Sequence, residues 1–304
     1  MSAPNTPDPT HFQPLHIDGK TYTYDSTFAH GVNKPKLFVS ESGDSSVVVK
    51  HFQNSTFARV AMGAFQTWQQ VRETLVRAGF PDILDVDSTR QISEYVQGVP
   101  LSLIPDRDIT STIDLVRVFL SSITHHLDLL SQLDLQHGDV KIDNMVARQS
   151  PLTPHPASTM LIDFDFLHLI DRCTDDHIGT PMCTPPEFFR SNISHRTRDI
   201  YSLGFSSIYA LMGDCDRFKF HEQPWANGYF HGSYYMIRSY RERHGMPSDI
   251  IRDGVNHMRK ILLPSAPQRE QELEQILDFI SASIQNDPYA RPQNGREVRE
   301  MIGL

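Results

Sequence analysis

The sequence predicts an α+β protein in two lobes: a small antiparallel β-sheet lobe carrying one helix, then a larger, mainly helical lobe. Three observations lead there. Short β-prone runs crowd the first third of the chain, a Gln97-Gly98-Val99-Pro100 break follows, and beyond it the apolar residues recur at helical spacing. Residues 1–14, rich in Pro, Thr and Asn, have too little apolar surface to bury and are expected to form a disordered tail. The folded domain is therefore placed at 15–304, with lobes at 15–97 and 98–304.

Each element has its own signal. Thr21-Tyr22-Thr23-Tyr24, Lys36-Leu37-Phe38-Val39 and Ser46-Val47-Val48-Val49-Lys50 read as three strands of a meander, with turn residues at Gly31 and Gly43. Residues 56–78 set Val60, Ala64, Trp68, Val71 and Leu75 at three- and four-residue steps ahead of Gly79 and Pro81, an amphipathic helix with its stop. Segments 83–86 and 90–96 are two further strands. In the second lobe, helices are expected at 111–133, 198–212, 268–285 and 295–301. Two short apolar runs, Met145-Val146-Ala147 and Met160-Leu161-Ile162, flank an irregular loop marked by Pro151, Pro154 and Pro156.

Composition narrows the function. Of 304 residues, 39% are apolar and 21% charged, which fits a packed globular chain. The 37 acidic residues outweigh 28 basic ones to give a net charge of -9, which disfavours a nucleic-acid or anionic-membrane partner. Cys173, Cys183 and Cys215 are odd in number and far apart, so neither a disulfide framework nor a Cys-based zinc site is expected. The 15 histidines are scattered without metal-ligand spacing and read as surface or core residues. The N-terminal residues hold no apolar signal region and no stretch has the ~18 apolar residues of a membrane span, so an intracellular protein is expected.

The chemistry concentrates in His137-Gly138-Asp139-Val140-Lys141-Ile142-Asp143-Asn144 and, after the Pro-rich loop, Leu161-Ile162-Asp163-Phe164-Asp165. Phosphoryl transfer needs a carboxylate to orient the acceptor hydroxyl, a cation on the moving group, and a carboxylate with an amide oxygen for Mg2+. Asp139, Lys141, Asp163 and Asn144 are of those four types.

The two strings resemble the catalytic loop H-R-D-x-K-x-x-N and the D-F-G motif of protein kinases, with Gly138 in place of Arg and Asp165 in place of Gly. Gly179-Thr180-Pro181-Met182-Cys183-Thr184-Pro185-Pro186-Glu187 looks like the end of a kinase activation segment. Asp199-Ile200-Tyr201-Ser202-Leu203-Gly204 resembles the buried helix whose first Asp anchors the catalytic loop. Asp287-Pro288-Tyr289-Ala290-Arg291-Pro292 is similar to the late element whose Arg pairs with the segment Glu, which implies an ion pair of Glu187 with Arg291. Val47-Val48-Val49-Lys50, on the third expected strand, matches the family's V-A-I-K.

The resemblance, spanning about residues 22–304, implies a bilobal protein-kinase-like fold and an ATP- and Mg2+-dependent transfer to Ser or Thr hydroxyls of a protein substrate. It implies catalytic roles for Asp139, Lys141, Lys50 and Thr180, metal ligation by Asn144 and Asp163, and nucleotide contacts from Lys50, Gly31, Ser93, Glu94 and Val96. Glu73 is the candidate partner of Lys50, the alternative being a solvated helix charge. Ser93 falls at the gatekeeper position of the hinge strand. Lys141 and Thr180 are the residues Ser/Thr kinases carry at these places. Only Gly31 survives of the glycine-rich loop, so a non-catalytic binding module is a second reading. A small-molecule phosphotransferase is a third, since those enzymes share H-G-D-x-x-x-x-N but generally lack this activation segment. Gly138 removes the Arg that receives a phosphorylated activation loop, so activity is expected not to depend on that modification.

Overall fold

The computed structural model describes residues 13–27, 35–104, 108–149, 156–170, 180, 183–187, 195–212 and 247–304. Nearly all of the expected tail, Gly31 and the middle of the Pro-rich loop lie outside the described residues. The chain divides into two units, one ending at Val96 and the other beginning at Gln97.

The first unit is a six-stranded antiparallel sheet in the order β1-β2-β3-β4-β6-β5. Its strands are β1 (Leu15–Ile17), β2 (Lys20–Thr27), β3 (Lys36–Ser40), β4 (Ser46–His51), β5 (Ile83–Val86) and β6 (Arg90–Glu94), with helix α1 (Ser55–Arg77) between β4 and β5. Strand β1 corrects the sequence reading. Asp18 and Gly19 take φ of 47° and 76°, the left-handed pair of a tight hairpin turn, and Leu15 and Ile17 on its near side pack on the sheet core. Lys50 therefore sits on the fourth strand, not the third. Tyr22, Phe38, Val47, Val49 and Ile92 form that core by two-residue alternation on their strands. Helix α1 starts where Asn54 accepts from the Phe57 amide at 3.0 Å and buries Val60, Ala64, Trp68 and Leu75.

The second unit has β7 (Val99–Pro100), α2 (Ile109–Gln132), β8 (Leu135–Gln136), β9 (Met145–Gln149), β10 (Pro156–Leu161), β11 (His168–Leu169), α3 (Arg198–Met212), α4 (Pro247–Leu262), α5 (Glu270–Ser283) and α6 (Gly295–Met301). Helix α4 was not read from the sequence; the other four lie at or close to their expected bounds. Helix α2 packs on α3, α6 and β10, and α3 packs on α5. Ile113, Val116, Phe119 and Leu120 of α2, Leu203 and Phe205 of α3, and Ile276 and Phe279 of α5 are all buried. Gly204 allows the close crossing, because a β-carbon there would stand 1.8 Å from Ser283 Oγ. Helix α3 is thus a buried post, and its first turn faces the loop between β8 and β9.

Candidate active site

Residues 137–144 leave β8 and reach β9 through a short 3-10 turn at Ile142–Asn144. Polar contacts from three other segments hold this loop. Asp199, buried at the start of α3, accepts from the His137 amide at 2.7 Å through Oδ2 and from the Gly138 amide at 3.0 Å through Oδ1. His137 is fully buried; its Nδ1 accepts from the Asp139 amide at 3.3 Å, so Nε2 carries the proton and donates to the Ile162 carbonyl at 3.0 Å. Burial pushes its pKa down, and the neutral ring fits both contacts. Phe164 packs edge-on against the same ring, with centroids 4.8 Å apart.

Asp139 is 4% exposed and is the hub of the polar groups. Its Oδ1 accepts from the Thr180 amide at 2.6 Å, and its Oδ2 accepts from Lys141 Nζ at 2.8 Å and Asn144 Nδ2 at 3.1 Å. Lys141 also donates to Thr180 Oγ1 at 2.9 Å, so Thr180 bridges acid and base. Burial works against the Lys141 charge, but the carboxylates of Asp139 and Asp163 outweigh it and hold the ammonium above the usual lysine range. Lys141 is a full cation at neutral pH.

Asn144 turns its Nδ2 donor to the Asp139 carbonyl and carboxylate, which leaves its Oδ1 accepting no hydrogen bond among the described residues. Its backbone carbonyl accepts from the Ile162 amide at 2.9 Å, which brings Asp163 alongside. Asp163 takes φ of 67°, a left-handed conformation that Asp tolerates better than most residues. One carboxylate and one amide oxygen, both hard, form a set suited to Mg2+ held jointly with substrate phosphates. Among the described residues no group of three or more His, Cys, Asp or Glu is gathered for a metal.

Gly138 has φ of 80°, and a β-carbon there would lie 2.6 Å from the Phe166 carbonyl oxygen. That position excludes any side chain, including the Arg of H-R-D. At the far end of the activation segment, Glu187 makes a two-pronged pair with buried Arg291, at 2.5 and 2.7 Å, and the guanidinium lies 4.8 Å over the Tyr201 ring. Ser202 of α3 ties the segment's Cys183 carbonyl at 2.7 Å.

The remaining candidates lie in the first unit. Lys50 is half-buried on β4, opposite Gln91 of β6. Ser93 stands opposite Val48, and Val96 is buried. Glu94 is held locally, since its amide donates to the Asp82 carbonyl and its carboxylate accepts from the Asp82 amide at 2.9 Å. Glu73 corrects the expected pairing with Lys50. Its side chain is 86% exposed, and its carboxylate meets Arg77 at 3.3 Å, one turn along the solvated face of α1. Arg198, buried at the start of α3, was not singled out from the sequence; its signal was a lone cation opening a very apolar helix.

The sequence profile of the protein kinase domain matches residues 82–301, well over half of the chain, and the chain belongs to that family. The match begins after α1, so Lys50 and Glu73 lie outside it. No curated protein sequence matches the chain significantly. Among solved structures the chain is similar to one described as the crystal structure of Rad53 kinase domain and SCD2. The TM-score is 0.56 and the identity 17%, over 93% of this chain and 89% of that chain, a likeness of fold. The architecture is a protein kinase fold. Among the described residues no helix is long and apolar enough to cross a membrane.

Proposed function

We propose that this protein is an ATP- and Mg2+-dependent kinase that transfers the γ-phosphoryl group to Ser or Thr hydroxyls of a protein substrate. The network in which Lys141 and Thr180 both close on Asp139 carries this reading. Asp139, fixed by donors on both oxygens, orients the acceptor hydroxyl and receives its proton as the new P–O bond forms. Lys141 places its ammonium where negative charge gathers on the moving group. Asn144 Oδ1 and Asp163 would hold Mg2+, which would neutralise charge on the phosphate oxygens. Lys50 is assigned the α- and β-phosphates, and the backbone at Glu94 and Val96, beside Ser93, the adenine.

Glu187 and Arg291 favour a protein over a small molecule as acceptor, because they belong to the activation segment and its brace. The test is transfer of labelled phosphate from Mg-ATP to casein, histone and myelin basic protein. Wild type is expected to label Ser or Thr, and Asp139→Ala to lose about 10²- to 10⁴-fold in kcat while still binding nucleotide. Equal turnover by the two would overturn the assignment.

A further inference from the structure

Two consecutive residues of α3 grasp the two polar ends of one loop residue. Asp199 Oδ1 takes the Gly138 N–H at 3.0 Å, and Arg198 Nη2 donates to the Gly138 carbonyl at 3.0 Å. That carbonyl belongs to the same planar peptide unit as the Asp139 N–H, which donates to His137 Nδ1. The plane leading into Asp139 is therefore held by a guanidinium at its oxygen and by an imidazole at its nitrogen. Arg198 is only 1% exposed, and no side chain can stand at position 138 to do the same work.

We infer that Arg198 is a positioning residue that fixes the Asp139 carboxylate through the 138–139 peptide plane, supplying from α3 the cation that Gly138 cannot carry. The role rests on Asp139 acting as described above. Three acids face the guanidinium: Asp199 on its own helix, Asp139 in the loop and Glu187 in the activation segment. Buried His137 lies in the same loop and is neutral. Burial pulls the Arg198 pKa down to about 10, against which these acids favour the charge, so it is a cation at neutral pH. A lysine there would lose its water in the same way, which pushes its ammonium below the ordinary lysine range.

The test measures kcat, KM for ATP and amide hydrogen exchange for wild type, Arg198→Met and Arg198→Lys. Arg198→Met is expected to lose about 10²-fold in kcat, the order expected for a misplaced catalytic group, with KM for ATP within about twofold. Its amides at 137–139 exchange faster, while those in the middle of α3 stay protected. Arg198→Lys restores a cation and recovers part of kcat at pH 7. Unchanged kcat in Arg198→Met, or unchanged protection of 137–139, would overturn the inference. If wild type transfers no phosphate, the kinase reading fails and the exchange arm still decides on Arg198. If Arg198→Met does not fold, Arg198→Gln decides at pH 7: faster exchange at 137–139 with the middle of α3 still protected supports the role, and wild-type protection of 137–139 overturns it.

Discussion

Glu73 with Arg77 in the first unit, and Glu187 with Arg291 in the second, are the same chemical pair in opposite settings. The first joins residues four apart on one helix, with side chains 86% and 81% exposed. The second joins residues 104 apart in sequence, with Arg291 fully buried and Glu187 16% exposed. Water screens the first pair and competes for both partners, so it contributes at most a few tenths of a kcal/mol. The second has lost its water, and Arg291 also donates to the Gln285 carbonyl at 2.8 Å and covers the Tyr201 ring. Removing one partner there strands a buried charge. What an ion pair does for this protein is thus set by what surrounds it, not by the sequence distance between partners, since Arg196 and Asp134 pair across 62 residues with both side chains exposed.

The largest effect is expected from Arg291→Ala, which leaves Glu187 facing an empty site and costs about 3 to 5 kcal/mol in denaturant unfolding. A loss below about 1 kcal/mol would break the contrast. Next comes pH, through half-buried His126 and buried His137 of the second unit. Burial holds His126 at about 4 and pushes His137 down as well, so both are neutral in the folded state. Below pH ~6.5 the unfolded chain takes up these protons first, hence stability falls as pH drops from ~6.5 towards 4 and is level above that. Melting temperatures across this range measure it, and His126→Gln should flatten the slope; an unaltered slope would exclude His126 as a source. The smallest effect belongs to Glu73→Gln, expected within about 0.5 kcal/mol of wild type and with unchanged KM for ATP. A several-fold rise in KM would return Glu73 to the nucleotide site.

Most of the fold was legible because it rests on local periodicity. The steps of Val60, Ala64, Trp68 and Leu75 gave α1, and α3 fell at its expected bounds from a run of apolar residues behind Asp199. Strand β1 was missed although Asp18-Gly19 is a hairpin signal, because only three residues precede that turn in the strand. Helix α4 was missed for another reason. Val255, Met258, Ile261 and Leu262 recur at helical spacing behind Pro247, but Gly254 stands in the interior as a breaker signal, and the packing of α4 on α5 is what gives its apolar side a place.

The candidate site divides in the same way. Asp139, Lys141 and Asn144 were visible because they lie within six residues, where loop chemistry and spacing act together. The partner of Lys50 could not be read from one helix turn, since Glu73 and its neighbours differ only by a rotation that packing sets.

The sequence by itself determined most of the element order and the acid, base and amide of the loop, which follow from residue type and near-neighbour spacing. Its resemblance to the kinase family supplied the Glu and Arg of the segment brace. Only the tertiary structure decided that Gly138 must be bare, that His137 is neutral, and that Arg198 and Asp199 grip one residue from both sides. Those depend on the Phe166 carbonyl lying 2.6 Å from a would-be β-carbon, and on burial that strips water from groups 60 residues apart in the chain. Distances of that kind are fixed when helix α3 packs against the loop, and no local pattern encodes them.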